Sequence, residues 1–115
     1  MNIPGLKAYG KELDWLTLMT YDARPVFSPR ECFDAYKTYY SGPMLIGCEI
    51  PPESWGGHVL TLGKVKEYSE HVKVKGKEHG LFVWSYNKPG TPSSFDIMST
   101  AANVFYPPGT TSPFA

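Results

Sequence analysis

The stretch DWLTLMTY, residues 14–21, decides the fold class. It is apolar, carries aromatic and β-branched residues, and is too short for a buried helix. Such a run predicts a strand that is buried on both faces. Two further runs have the same character, MLIGC at residues 44–48 and LFVWSY at residues 81–86. We therefore predict three short buried strands.

Helix signals fill the intervals after these runs. Ser28 can cap a helix that has Pro29 in its first turn, and Glu31 can complete a capping box. Gly42-Pro43 is expected to end this helix. Residues 72–75 could either continue the second predicted helix, which starts near Leu62, or alternate as a strand. Apolar residues at helical spacing mark the later helices: Leu62, Val65, Tyr68, Ser69 and Val72 before Gly76, then Ile97, Ala101, Val104 and Phe105 after about Ser94.

The element order is therefore βα-βα-βα, which demands a parallel sheet with right-handed crossovers. Three such units can form an open three-layer sheet or part of a (β/α)8 barrel. In either case functional groups gather where the strands end. The length of 115 residues suits a single core. We place the domain at residues 1–105 and predict a disordered tail at residues 106–115, which are rich in Pro, Gly, Thr and Ser.

The composition and the short motifs argue against several classes of function. The 11 basic residues balance 11 acidic ones, which argues against a nucleic-acid partner. No apolar run approaches the roughly 18 residues of a membrane helix. The chain shows no signal-peptide h-region, so its localisation is left open. Cys32 and Cys48 are expected to be small buried side chains. The three histidines lack metal-ligand spacing, and no cofactor-binding motif is recognisable: residues 55–58, WGGH, are not a phosphate loop.

Polar and aromatic side chains end the three predicted strands. Tyr21 and Asp22 end the first, Glu49 the second and Trp84 the third. Because neighbouring strands lie about 4.8 Å apart, these groups could share one site of the kind that binds sugars. From spacing alone, the more ordinary interpretation has Asp22 capping a loop, Glu49 in solvent and Trp84 in the core.

Two motifs strengthen the sugar-site interpretation. LDWLTLMTYD, residues 13–22, resembles the sixth-strand signature Met-x-Tyr-Asp of family 18 glycoside hydrolases, the chitinase fold. GLFVWS, residues 80–85, resembles the eighth strand of that family, and residues 44–49 fill the place of the seventh. The resemblance implies that residues 1–105 are strands 6–8 of a TIM barrel.

The resemblance also implies residue roles. The counterparts of Tyr21 and Asp22 contact the 2-acetamido group of the bound sugar, which itself attacks the anomeric carbon. The counterpart of Trp84 forms an apolar floor under that sugar, and Met19 would line the barrel beside it. The expected partners are therefore glycans that contain N-acetylglucosamine. Further candidate rim contacts, without a family counterpart, are Glu49, Trp55 and Tyr86.

One family motif is missing. The catalytic acid of the family ends an Asp-x-x-Asp-x-Asp-x-Glu run, and none of the eleven acidic residues fits that spacing. We therefore expect this chain by itself not to hydrolyse chitin. The alternative is a non-catalytic carbohydrate-binding or scaffold module. Three parallel strands leave two open edges, so self-association or a complementary N-terminal barrel chain is also expected.

Overall fold

The computed structural model describes residues 3–21, 28–52 and 59–109. Within these ranges the fold is mixed α/β, with a three-stranded parallel sheet and four α-helices. The elements are α1 (Ile3–Tyr9), a 3-10 turn (Gly10–Glu12), β1 (Leu16–Leu18), α2 (Pro29–Lys37), β2 (Met44–Glu49), α3 (Leu62–Lys75), β3 (Gly80–Trp84) and α4 (Ser94–Phe105).

The sheet has the predicted arrangement, with the strands in the order β1-β2-β3 and all parallel. Leu18 pairs with Ile46, and Ile46 pairs with Leu81, so the three strands are aligned across the sheet. β1 is shorter than predicted. The reason is that the Thr20 N–H donates to the carbonyl of Leu18 (2.8 Å), and this local turn ends the strand.

Helices α2, α3 and α4 each follow a capping residue. The Ser28 hydroxyl accepts from the Glu31 N–H at 3.3 Å, with Pro29 in the first turn, which confirms the predicted start of α2. The complete capping box is found at α4, where Ser93 and Asp96 satisfy each other's backbone N–H groups. The helix predicted to run to Gly42-Pro43 ends earlier, at Lys37.

Two local features differ from the sequence pattern, the end of α2 and the presence of α1, whereas for residues 72–75 the pattern leaves two structures open. α2 ends early because the last turn tightens: the Tyr39 N–H bonds the carbonyl of Tyr36, and the Tyr40 hydroxyl reaches back to the carbonyl of Leu13 at 3.1 Å. Residues 72–75 continue α3 rather than forming a strand. α1, which precedes β1, was not expected from the sequence, and none of its side chains is fully buried.

One hydrophobic core lies between the sheet and the helices. Leu18, Ile46 and Cys48 project from the sheet into the same cluster as Phe33 of α2 and Val72 of α3. α4 completes the layer with Ile97 and Ala101. Cys48 is buried, Cys32 is partly buried, and both are free thiols. The helices therefore cover one face of the sheet, and alternate strand residues point to the other face.

Candidate functional site

The face opposite the helices carries the residues that were singled out from the sequence. On β2 and β3 the residues of this face pair directly, Gly47 with Phe82 and Glu49 with Trp84. The second pair lies at the carboxyl end of the strands, two residues or about 6.6 Å beyond the first. In parallel sheets this end is where ligand groups are usually displayed.

Trp84 is an exposed side chain at the end of β3. It is 57% exposed, so the interpretation that it fills the core is wrong. Its carbonyl accepts a hydrogen bond from the Ile50 N–H at 3.0 Å, which keeps the end of β3 joined to β2. The peptide bond between Trp84 and Ser85 is cis. An indole on a paired strand end offers a fixed apolar surface of the kind on which a sugar ring can stack.

Tyr21 and Phe82 form an aromatic pair one row below Trp84. Their ring centroids are 6.2 Å apart and the rings meet edge to face at 72°. Both rings lie over Gly47, because a Cβ at that position would come within 2.6 Å of Phe82 Cζ and 2.8 Å of Tyr21 Cε1. The neighbouring Thr20 hydroxyl donates to the Gly47 carbonyl at 2.7 Å. The glycine thus permits two aromatic rings to pack against the sheet.

Glu49 is buried at the end of β2. It is only 7% exposed, so the interpretation that it lies in solvent is wrong. Lys88, in the segment between β3 and α4, places its Nζ 3.0 Å from Glu49 Oε1 and also donates to the carbonyl of Pro52 at 2.9 Å. A buried carboxylate requires such a charged partner. Glu49 therefore sits under the site, while Trp84 forms its surface.

The remaining candidate residues fall into two groups. Met19 and Tyr86 are both largely exposed, Met19 just after β1 and Tyr86 just after β3. Asp22 and Trp55 lie outside the described residues. The structure therefore places Glu49 beside Trp84 and Tyr21 beside Phe82.

Three residues of the site escaped the sequence analysis. Phe82 could have been found, since it lies two positions before Trp84 and strand residues two apart share a face. Gly47 could have been suspected as an isolated glycine in a strand, a position where other groups often approach closely. Lys88 could not have been found, because its pairing with Glu49 joins residues that are 39 positions apart.

An apolar groove runs along the outer edge of β3. It encloses about 910 Å³, and Leu81, Val83, Met98 and Phe105 are among its lining residues. The groove shares Phe82 and Tyr86 with the candidate site.

The described ranges contain no group of three or more His, Cys, Asp or Glu side chains that could hold a metal ion. None of the helices described there is long and apolar enough to cross a membrane.

No protein-family model, no curated protein and no solved structure matches this chain.

Proposed function

We propose that this chain is a chitinase-like carbohydrate-active protein, or a fragment of one, that supplies the N-acetylglucosamine-binding part of a site. The observation that carries the proposal is the exposed Trp84, which is paired in register with the buried Glu49 at the carboxyl end of the sheet. Tyr21 and Phe82 lie one row below on the same face. The fold expected for such a protein is strands 6–8 of a (β/α)8 barrel.

Each group has a role in this proposal. The indole of Trp84 stacks under the apolar face of the sugar, as aromatic rings do in many sugar sites. The hydroxyl of Tyr21 and the carboxylate of Asp22 bind the 2-acetamido group, as the motif resemblance implies. Met19 and Tyr86 contribute further contact surface at the rim of the same face.

We propose further that the chain alone does not hydrolyse chitin. Protonation of the leaving oxygen by a positioned acid contributes about 10²–10⁴-fold to a hydrolytic rate. The acidic run that supplies this group in the family is absent from these 115 residues. The carboxylate of Glu49 is engaged by Lys88 below the surface, which makes it a poor substitute.

Calorimetric titration with N-acetylated chitooligosaccharides tests the binding proposal. We expect saturable binding that Trp84→Ala abolishes. The matched control is Trp15→Ala, because Trp15 is equally exposed at 58% but precedes β1, at the other end of the sheet. Cello-oligosaccharides, which lack the acetamido group, should bind at least about tenfold more weakly, as expected when a site loses a substrate hydrogen bond.

Two results would contradict the proposal. Equal loss of affinity in Trp15→Ala and Trp84→Ala would show that the site is elsewhere. If the wild type gave no heat of binding at all, the proposed carbohydrate function would be wrong. A chromogenic chitobioside provides the second measurement. Turnover above the rate of Trp84→Ala would show that the chain is an enzyme by itself.

The second candidate is a non-catalytic scaffold or interaction module, which the edge of β3 favours. Residues 97–106, most of them in α4, contain no charged residue, and Met98 and Tyr106 border the groove while remaining about half exposed. In the described ranges β3 is an edge strand, and such an edge pairs readily with a further strand. The proposed partners are a second copy of this chain or a complementary N-terminal barrel chain.

A further inference from the structure

The turn that follows β3 is held by polar contacts rather than by packing. Residues 85–87 form a turn that the Lys88 N–H closes by donating to the Ser85 carbonyl at 3.0 Å. The Ser85 hydroxyl donates to Asn87 Oδ1, also at 3.0 Å. Tyr86 and Asn87 are exposed, so apolar burial contributes little to fixing this turn.

The side chain of Lys88 ties this turn to the end of β2. Its Nζ contacts Glu49 Oε1 at 3.0 Å and the Pro52 carbonyl at 2.9 Å. Further along the segment, the backbone at Gly90 lies directly on the Pro51 carbonyl and on Ile50, so that a Cβ there would collide with both. The segment after Trp84 is thus anchored at two points on residues 49–52.

The chemistry of the Glu49 position points to a role beyond packing. Burial of an ionised pair is a weak source of stability, and apolar residues of similar size often fill such positions at lower cost. An ion pair does, however, fix the relative position of the two groups it joins. Here it joins the strand end beside Trp84 to the turn that carries Tyr86.

We propose that the Glu49–Lys88 ion pair is a latch that positions Trp84 and Tyr86 as one aromatic surface for the sugar. Glu49 and Lys88 are positioning residues, since they act through the aromatic side chains. The inference rests on the proposed sugar site. It assigns to Glu49 a function that neither the spacing nor the family resemblance supplies.

The test uses a chain in which Trp84 is the sole tryptophan, made with Trp15→Phe and Trp55→Phe. In this parent, Lys88→Met should lower the fluorescence anisotropy of Trp84 and speed its quenching by acrylamide. It should also weaken chitooligosaccharide binding by roughly tenfold, because the binding-competent arrangement becomes a minor population. Lys88→Arg should restore both properties, since it keeps the charge pair, whereas Glu49→Gln should resemble Lys88→Met.

Arg30→Met is the matched control. It breaks a 2.8 Å ion pair with Glu67 between α2 and α3, in the helix layer, and should change neither Trp84 anisotropy nor affinity. Circular dichroism on each variant verifies the fold. Lys88→Met removes the charged partner of the buried Glu49 carboxylate, whereas Glu49→Gln removes the carboxylate charge, so agreement between the two variants separates loss of the ion pair from the cost of a buried charge.

The outcomes distinguish failure of the latch proposal from failure of the sugar-site proposal. Unchanged Trp84 anisotropy in Lys88→Met overturns the latch, even if affinity falls, because Lys88 would then contact the sugar directly. If the parent binds no chitooligosaccharide, the sugar-site proposal fails. The anisotropy series still decides in that case whether the ion pair orders Trp84.

Discussion

Glu49 and Trp84 are direct partners across neighbouring parallel strands, yet one is buried and the other is exposed. The difference arises from the path that the chain takes after each residue. After Glu49 the chain continues into Ile50 and Pro51, both buried, whereas after Trp84 it turns outward through Tyr86. The carboxylate is thereby covered and neutralised by Lys88, and the indole is left facing solvent. The central feature of the site is the buried ion pair between Glu49 and Lys88, which lies beneath the exposed indole of Trp84.

The first prediction concerns Gly47, over which the rings of Tyr21 and Phe82 pack. Gly47→Ala should destabilise the fold by about 1–3 kcal/mol, the usual cost of an added methyl group in a closely packed position. A Cβ there would also come within 2.8 Å of the Leu18 carbonyl, which is backbone and cannot move aside cheaply. Urea unfolding monitored by circular dichroism measures the loss.

Gly63→Ala is the control for this substitution. Gly63 lies in the first turn of α3, and its nearest neighbour, Thr61 Oγ1, would be 3.7 Å from the new Cβ. We expect this variant to be as stable as the wild type or more stable by about 0.5–1 kcal/mol, since alanine favours the helix. If both glycine variants behaved alike, the two rings would not be packed over β2 as described.

The strand order was predictable because each strand is a short apolar run between helix signals. The parallel pairing of residues 16–18, 44–49 and 80–84 is the arrangement that such runs, joined by helices, require. Strand and helix ends were less predictable. They depend on single hydrogen bonds, such as the one from Thr20 to the Leu18 carbonyl, that a periodic pattern does not encode.

The site was predictable in part, for a related reason. Residues that end neighbouring strands must lie near each other, so the proximity of Glu49 and Trp84 could be expected from topology alone. Their opposite exposure could not, because it is set by the path of the segments after the strands. The partner of Glu49 lies in such a segment, and no local pattern marks Lys88 as that partner.

The second prediction is a loss of stability in mild acid that is due to His79. Its side chain is fully buried, and burial lowers the pKa of this histidine below the ordinary value of 6.5. Lys37 also lowers this pKa, while the carboxylate of Glu78 raises it. Burial is the largest of these causes.

The sign of the effect is set by proton linkage. Below pH 6.5 the unfolded chain binds a proton at His79 more readily than the folded chain does. Stability should therefore be full above about pH 6.5 and should decrease as the pH falls from there towards the lower pKa of the folded state. Urea midpoints at pH 8.0, 6.5 and 5.5 measure this slope.

His79→Gln tests whether this residue is responsible. Glutamine can still accept the hydrogen bond from the Met44 N–H, which His79 Nδ1 accepts at 3.1 Å in the wild type. Its midpoint at pH 8.0 reports the cost of the altered packing, and the decrease from pH 8.0 to 5.5 should be smaller than in the wild type. An unchanged decrease would assign the acid sensitivity to other groups.

The third prediction concerns the groove at β3, where the apolar surface of α4 borders an open sheet edge. If this surface binds a second copy, the chain should exceed its monomer mass of 12.8 kDa at high concentration. Met98→Glu should then return it to the monomer, because a carboxylate buried without a partner in an interface is costly. Light scattering coupled to size exclusion, over a range of concentrations, measures the mass.

Val74→Glu is the control, since Val74 is an exposed apolar residue on α3 that does not line the groove. Both side chains are solvent-exposed in the single chain, so each substitution should change its stability by no more than about 0.5 kcal/mol. A mass that falls in Met98→Glu but not in Val74→Glu places the contact at the groove. A wild-type mass of 12.8 kDa at every concentration excludes the second copy as the partner and leaves a complementary β/α chain as the occupant to be tested.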